Sequence, residues 1–173
     1  MGDSHASAEA QLDQVVTWNA ARVARFLGQR LTERLAAHDL HPVHFGVLAH
    51  LDGAAQTSQQ VSQADLARAV LQRPQSIASL LDGLERRGLV RRTGERARGR
   101  RNPVQITGSG RNALQAAWSV VVSSNDLDDA GLTAAEGAEL NRLLLKVVAA
   151  TDGAHSEASE WDWHEEQGPP QPR

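Results

Sequence analysis

Between Val61 and Gly108 the chain passes from helical spacing to strand-like alternation, and the order of that passage constrains the fold more than any other feature. Ser62 suits a helix N-cap, and Asp65 three residues on adds favourable charge to the first turn. Leu66, Ala67 and Val70 supply a short apolar face at helical spacing. Pro74 is the next punctuation, since proline fits the first turn of a helix where its missing N–H costs nothing. A second helix is therefore predicted from near Arg73 to about Arg87. Its Ile77, Leu80, Leu81 and Leu84 recur at i, i+3, i+4 and i+7, which makes one buried stripe. Gly88 ends it just past the cap. Leu89–Arg92 and Pro103–Thr107 then read as two short strands joined by the loop Thr93–Asn102. Helix, turn, helix and strand pair are the order of a winged helix-turn-helix, a shape that sets one helix in a DNA groove and one loop beside it.

The residue types agree with that placement. The N-terminal turn of the second helix gathers Gln72, Arg73, Gln75 and Ser76, with Ser79 one turn further and Asp82 on the same outward face. Arginine can bond guanine with two donors, glutamine can pair with adenine, and serine adapts to either role. The alternative is an ordinary solvated helix face, but the loop that follows weighs against it. That loop carries Arg96, Arg98, Arg100 and Arg101 against Glu95 alone. Such a loop gains little from packing and much from phosphate contacts and counterion release.

Charge is concentrated rather than spread. Residues 61–111 hold eleven arginines and four acids, a block of +7 inside a chain that is −3 overall. That is the electrostatic footprint of a nucleic-acid binder. The chain has no cysteine, so disulfides and thiol-based sensing are excluded. It has no apolar run of about 18 residues, and its first ten residues lack the basic start and apolar core of a signal peptide. A cytoplasmic protein without membrane association is the expectation. No glycine-rich phosphate loop, no nucleophile with a positioned base and no evident carboxylate pair supports an enzyme, and no cofactor is implied.

The flanks read as helical. Residues 10–37 look like one helix, with Leu12, Val15, Val16, Val23, Phe26, Leu27, Leu31 and Leu35 spaced mostly by three and four. Pro42–Leu51 forms another. A further helix after Thr107 carries Leu114, Ala117, Trp118, Val121 and Val122. A capping box at Thr133–Glu136 opens the last one, with Leu140, Leu143, Leu144, Val147 and Val148. The expected fold is mainly α with a small β-wing. Residues 38–107 form the winged helix-turn-helix lobe, and residues 10–37 and 108–151 form a helical dimerisation region. Residues 1–9 and the acidic tail 152–173 are expected to be disordered. Trp161 and Trp163 are unusual in such a tail; they could dock on the body, or the acidic tail could compete with DNA for the wing. Two copies of the recognition helix would read a pseudo-palindrome with half-sites about 10 base pairs apart.

Leu40, Phe45, Val47, Leu48 and Leu51, then Ser62, Asp65, Leu66 and Ala67, then Leu84-Glu85, Gly88-Leu89-Val90 and Arg92, then Ile106-Thr107 and Gly110, together resemble the MarR family of bacterial transcription regulators, over roughly residues 10 to 151. The resemblance implies a homodimer that binds double-stranded DNA, most simply as a repressor released by a ligand. It assigns the recognition role to Arg73–Ser79. The family's wing usually carries an Asp-x-Arg step; here Arg98 stands at the aspartate position and Arg100 at the arginine position. Arg100 can therefore take the wing contact, while the residue that would help shape the wing is replaced by another cation.

The resemblance also implies a pocket for a small aromatic or anionic effector near the corner of the first two helices. Trp18, Arg22, His41, His44 and Phe45 could line it, with Trp18 stacking on a ring and Arg22 meeting a carboxylate. The plainer reading makes Trp18 a core or dimer contact. His38, His41, His44 and His50 fall within thirteen residues, and His41 and His44 could share a helix face and a metal. No cysteine and no Glu-x-x-His partner accompanies them, so no metal site is assigned. The competing readings are a winged-helix module for protein contact without specific DNA binding, which has no need of a +7 block, and a metal-responsive regulator.

Overall fold

The computed structural model describes residues 11–93 and 103–157, the last seven as backbone only. Helix α1 runs Val16–Ala36 and α2 Pro42–Gln56; α3 (Gln63–Ala69) and α4 (Pro74–Arg86) follow; strands β1 (Val90–Arg92) and β2 (Val104–Ile106) precede α5 (Gly108–Ser123). A 3-10 turn, Asp128–Ala130, leads to α6, Ala134–Glu157. The described residues divide into two compact units, one ending at Asp126 and one beginning at Leu127.

The core belongs to the first unit. Leu35 of α1, Val47, Leu48 and Leu51 of α2, Leu66 of α3, and Ile77, Leu81 and Leu84 of α4 are all at most 2% exposed. Each such side chain contributes about 1.5–3 kcal/mol by leaving water. The α4 stripe is thus buried as its spacing predicts, with Leu80 packed at its edge. The strands pair antiparallel, Val90 opposite Ile106, Arg91 opposite Gln105 and Arg92 opposite Val104. Val61, just before α3, adds a single bridge to Val104, whose N–H donates to the Val61 carbonyl at 3.0 Å. Alternation places Val104 and Ile106 inward and Gln105 outward.

Three boundaries differ from the sequence reading. The helix expected over residues 10–37 is interrupted by a turn at Asp13–Gln14, and α1 starts at Val16. Asn19 caps this break locally, its amide donating to the Asp13 carbonyl at 2.9 Å. Helix α2 continues past Leu51 to Gln56 because Leu51 and Ala54 stay on the buried face. In the second unit Glu136 accepts from the Thr133 N–H at 2.8 Å and from its hydroxyl at 2.7 Å, which is the expected capping box. Helix α6 then extends to Glu157, past the change of composition at residue 152.

Candidate nucleic-acid interface

The first helix of the helix-turn-helix is fixed by a reciprocal cap. The Asp65 N–H donates to Ser62 Oγ at 3.2 Å, and Asp65 Oδ2 accepts the Ser62 N–H at 2.8 Å and its hydroxyl at 2.6 Å. The Ser62 hydroxyl and N–H, followed by neighbouring Arg68, hold the Asp65 carboxyl below its ordinary range. At the other end Leu71 takes φ 51°, the left-handed conformation that glycine normally supplies. The turn closes as the Leu71 N–H meets the Arg68 carbonyl at 3.1 Å and the Gln72 N–H meets the Ala67 carbonyl at 2.8 Å. Gln63 spans the motif, its amide donating to the Pro74 carbonyl at 3.1 Å.

That turn delivers α4 with Arg73 as an extended N-cap residue and Pro74 in the first turn. Gln72, Arg73, Gln75, Ser76 and Ser79 are all exposed, opposite the buried Ile77, Leu81 and Leu84. Among the described residues none of the five side chains has a hydrogen-bond or ion-pair partner, so their donors and acceptors face outward uncommitted. The arrangement is one rigid helix offering a polar, cationic edge.

The base of the wing is locked to this helix by Arg92, which the sequence alone places in a short strand. Arg92 is only 16% exposed; its Nη2 lies 2.6 Å from Asp82 Oδ1 and its Nη1 2.5 Å from Glu85 Oε2. Burial opposes its charge, but the bonds to Asp82 and Glu85 outweigh that and raise its pKa. Asp82 therefore braces the strand as well as facing outward. The signal that could have found this was the three-residue spacing of two acids before a turn-and-strand arginine. On the far side, the Thr107 hydroxyl donates to the Gly88 carbonyl at 2.6 Å and accepts the Gly110 N–H at 3.0 Å. Gly110 sits so close to β1 that a Cβ there would lie 2.1 Å from the Leu89 carbonyl oxygen. The predicted wing residues Arg96, Arg98, Arg100 and Arg101 lie outside the described residues.

The predicted effector residues are engaged in separate local interactions. His41 and His44 build a capping box at the start of α2, with the His41 N–H donating to His44 Nδ1 at 3.2 Å and the Val43 N–H to His41 Nδ1 at 3.4 Å. Burial, then Arg87, then His41 lower the His44 pKa below 6.5. Phe45 packs on Trp118 of α5 with ring centroids 5.7 Å apart. Arg22 pairs with Asp13 at 3.9 Å, and Trp18 is 45% exposed. No hydrogen bond, ion pair or ring contact among the described residues joins Trp18 or Arg22 to the other three. Among the described residues no group of three or more His, Asp or Glu is placed to hold a metal ion. No helix there is long and apolar enough to cross a membrane.

Comparison with known proteins agrees with this architecture. A MarR family model matches residues 38–101. A Mycobacterium tuberculosis MarR family protein, Rv2887 in complex with salicylic acid, is 30% identical, with 78% of this chain and 97% of that chain covered and a TM-score of 0.60. CouR of Rhodococcus jostii RHA1 bound to p-coumaroyl-CoA is 23% identical, with 79% and 94% covered and a TM-score of 0.65. MepR of Staphylococcus aureus in a DNA complex is 20% identical, with 80% and 98% covered and a TM-score of 0.63. No curated protein matches the chain.

Proposed function

Because this chain belongs to the MarR family, we propose that it is a homodimeric, sequence-specific DNA-binding regulator, a repressor released by a small effector. The observation that carries this reading is the uncommitted polar edge of α4, at Gln72, Arg73, Gln75, Ser76 and Ser79, on a helix whose opposite face is core. Side chains of these types on a rigid helix meet base edges in a major groove. Arg92 ties β1 to the same helix, so a wing bearing Arg96, Arg98, Arg100 and Arg101 would follow that helix onto the phosphates.

Apolar surface supports the dimer. Val16, Trp18, Val23 and Phe26 of α1 are 44–80% exposed, and Leu143, Leu144, Leu145 and Val147 of α6 are 46–62% exposed. Exposed apolar side chains of this number on α1 and α6 are what a second copy would cover. Two recognition helices then address half-sites about 10 base pairs apart. Salicylic acid and p-coumaroyl-CoA in related proteins favour an aromatic or anionic effector here, with Trp18, Arg22, His41, His44 and Phe45 as its contacts.

Binding to the promoter upstream of the chain's own gene, against random DNA of equal length over a salt series, tests the reading. Saturable binding with a preference of about a thousandfold is expected. Weak, equal and steeply salt-dependent binding to both would leave only a general phosphate clamp.

A further inference from the structure

The end of α2, the segment 58–61, both strands and the start of α5 line a partly open cavity of about 560 Å³. That volume falls within the roughly 300–1,000 Å³ typical of small-molecule sites. None of Trp18, Arg22, His41, His44 or Phe45 lines it, so it is separate from the effector residues considered above.

Its chemistry is one-sided. Two guanidiniums, Arg91 and Arg111, line it, and among the described residues no acidic one does. Both are held by one edge. Arg91 Nε and Nη2 donate to Gln105 Oε1 at 3.2 and 2.9 Å, from the residue directly opposite in the strand pair. Arg111 Nε donates to Asp52 Oδ1 at 3.0 Å. A guanidinium carries five N–H donors, so Arg91 keeps its Nη1 group and Arg111 keeps both Nη groups for a ligand. The bond that Gln105 accepts through its oxygen leaves its amide nitrogen as a further donor. Gln59, Gln60 and Ser58 extend the polar wall, and most of the wall is polar. An apolar-bodied ligand would leave those amides without partners.

We propose that this cavity is a second ligand site, which binds a small hydrophilic anion, a phosphate ester or a hydroxycarboxylate, through Arg91 and Arg111. Charge-assisted bonds from two pre-positioned guanidiniums supply the affinity, and the glutamines read the hydroxyls. An occupant would bear on the Arg91–Gln105 pair, which links the two strands, and on the Val61–Val104 bridge, which sets β2 against the start of α3.

Titrating the ¹⁵N-labelled full chain by NMR with glucose 6-phosphate, gluconate and benzoate at constant ionic strength tests this on the protein alone, independently of any DNA activity. Glucose 6-phosphate or gluconate should give saturable shifts at Arg91, Gln105, Gly108 and Arg111, with benzoate far weaker. Arg91→Gln, which leaves the Arg111–Asp52 pair in place, should retain the native spectrum and weaken binding about tenfold or more, as should Arg111→Gln. No shifts at these residues, unchanged affinity in the Arg91→Gln/Arg111→Gln double variant, or benzoate binding there as tightly as the hydrophilic probes would overturn the proposal. Shifts there with random duplex DNA but with neither hydrophilic probe would assign the arginines to the DNA backbone and overturn it equally.

Discussion

Glu85 holds Arg92 at two points: its Oε2 meets the guanidinium at 2.5 Å and its Oε1 accepts the Arg92 N–H at 3.0 Å. One carboxylate thus fixes both the side chain and the backbone of β1 to the end of α4. The side chain of Arg92 is largely buried, so this pair is screened less than a surface one. Arg92→Ala should lower stability by about 1.5–3 kcal/mol, because Glu85 and Asp82 lose a charge-assisted partner. It should also weaken DNA binding without altering base preference, since the wing base loosens while the α4 edge is unchanged. Urea denaturation read beside binding to specific and random DNA checks both parts; a change in base preference would show that Arg92 acts through α4 instead.

Gly110 is required by contact and not by backbone angle. A methyl group at this position would overlap the Leu89 carbonyl oxygen and press on Ile106 Cγ1 at 2.8 Å. Neither β1 nor the buried Ile106 can give way cheaply. Gly110→Ala should therefore cost about 3 kcal/mol or more. Gly108→Ala is the control, since nothing lies within 4 Å of a Cβ there. Equal denaturation midpoints for the two variants would show that the close approach relaxes.

What the sequence made legible was local. The Ser62–Asp65 and Thr133–Glu136 caps close within four residues, so the pattern alone reveals them. The α4 stripe was legible because Ile77, Leu81 and Leu84 share one face and all bury. The Arg92 brace was not, because it exists only once Gly88, at φ 70°, turns the strand back along α4. The Phe45–Trp118 contact joins residues far apart in sequence, and no local period marks it. His41 and His44 were legible as neighbours on a helix but not as caps, since histidine is an unusual capping pair. The polar residues at the start of α4 are all exposed, as the helical spacing of its buried stripe requires; the wing arginines fall outside the described residues.

Leu71 departs from what a tight turn prefers. A β-carbon in the left-handed region costs roughly 1–2 kcal/mol, and Leu71 recovers little by burial because it is 54% exposed. Leu71→Gly removes that cost but adds about 0.4–1 kcal/mol of unfolded-state entropy. The net expectation is a stabilisation of about 0.5–1 kcal/mol. Thermal or urea unfolding checks it. Destabilisation would mean that the leucine side chain contributes contacts worth more than the backbone strain.

His44 gives the fold a pH dependence with a definite sign. Burial first, then Arg87 and His41, lower its pKa in the folded chain below 6.5. The folded state therefore binds fewer protons than the unfolded state as pH passes below that value. The contribution is fully present above about pH 6.5 and is lost as pH falls from there through the lowered folded value. Protonation on Nδ1 would also turn the acceptor of the His41 N–H into a donor and open the cap. The urea midpoint should fall between pH 7.5 and 5.5. His44→Gln, which can cap without titrating, should flatten that fall. The same slope in both proteins would remove His44 as its source.

Arg73 and Arg100 should divide specificity from affinity. Arg73 stands exposed at the N-cap of α4, where a guanidinium can meet a guanine edge with two donors. Its loss should cost about 1–3 kcal/mol on the operator and relax the preference at one base pair, with little effect on random DNA. Arg100 belongs to the cationic loop between β1 and β2 and is expected on a phosphate. Arg100→Ala should therefore weaken specific and random binding alike and lower the salt slope by about one unit. Salt series on both DNAs with both variants resolve the two roles. If each variant weakens operator and random DNA by the same factor, the polar edge of α4 is not reading bases.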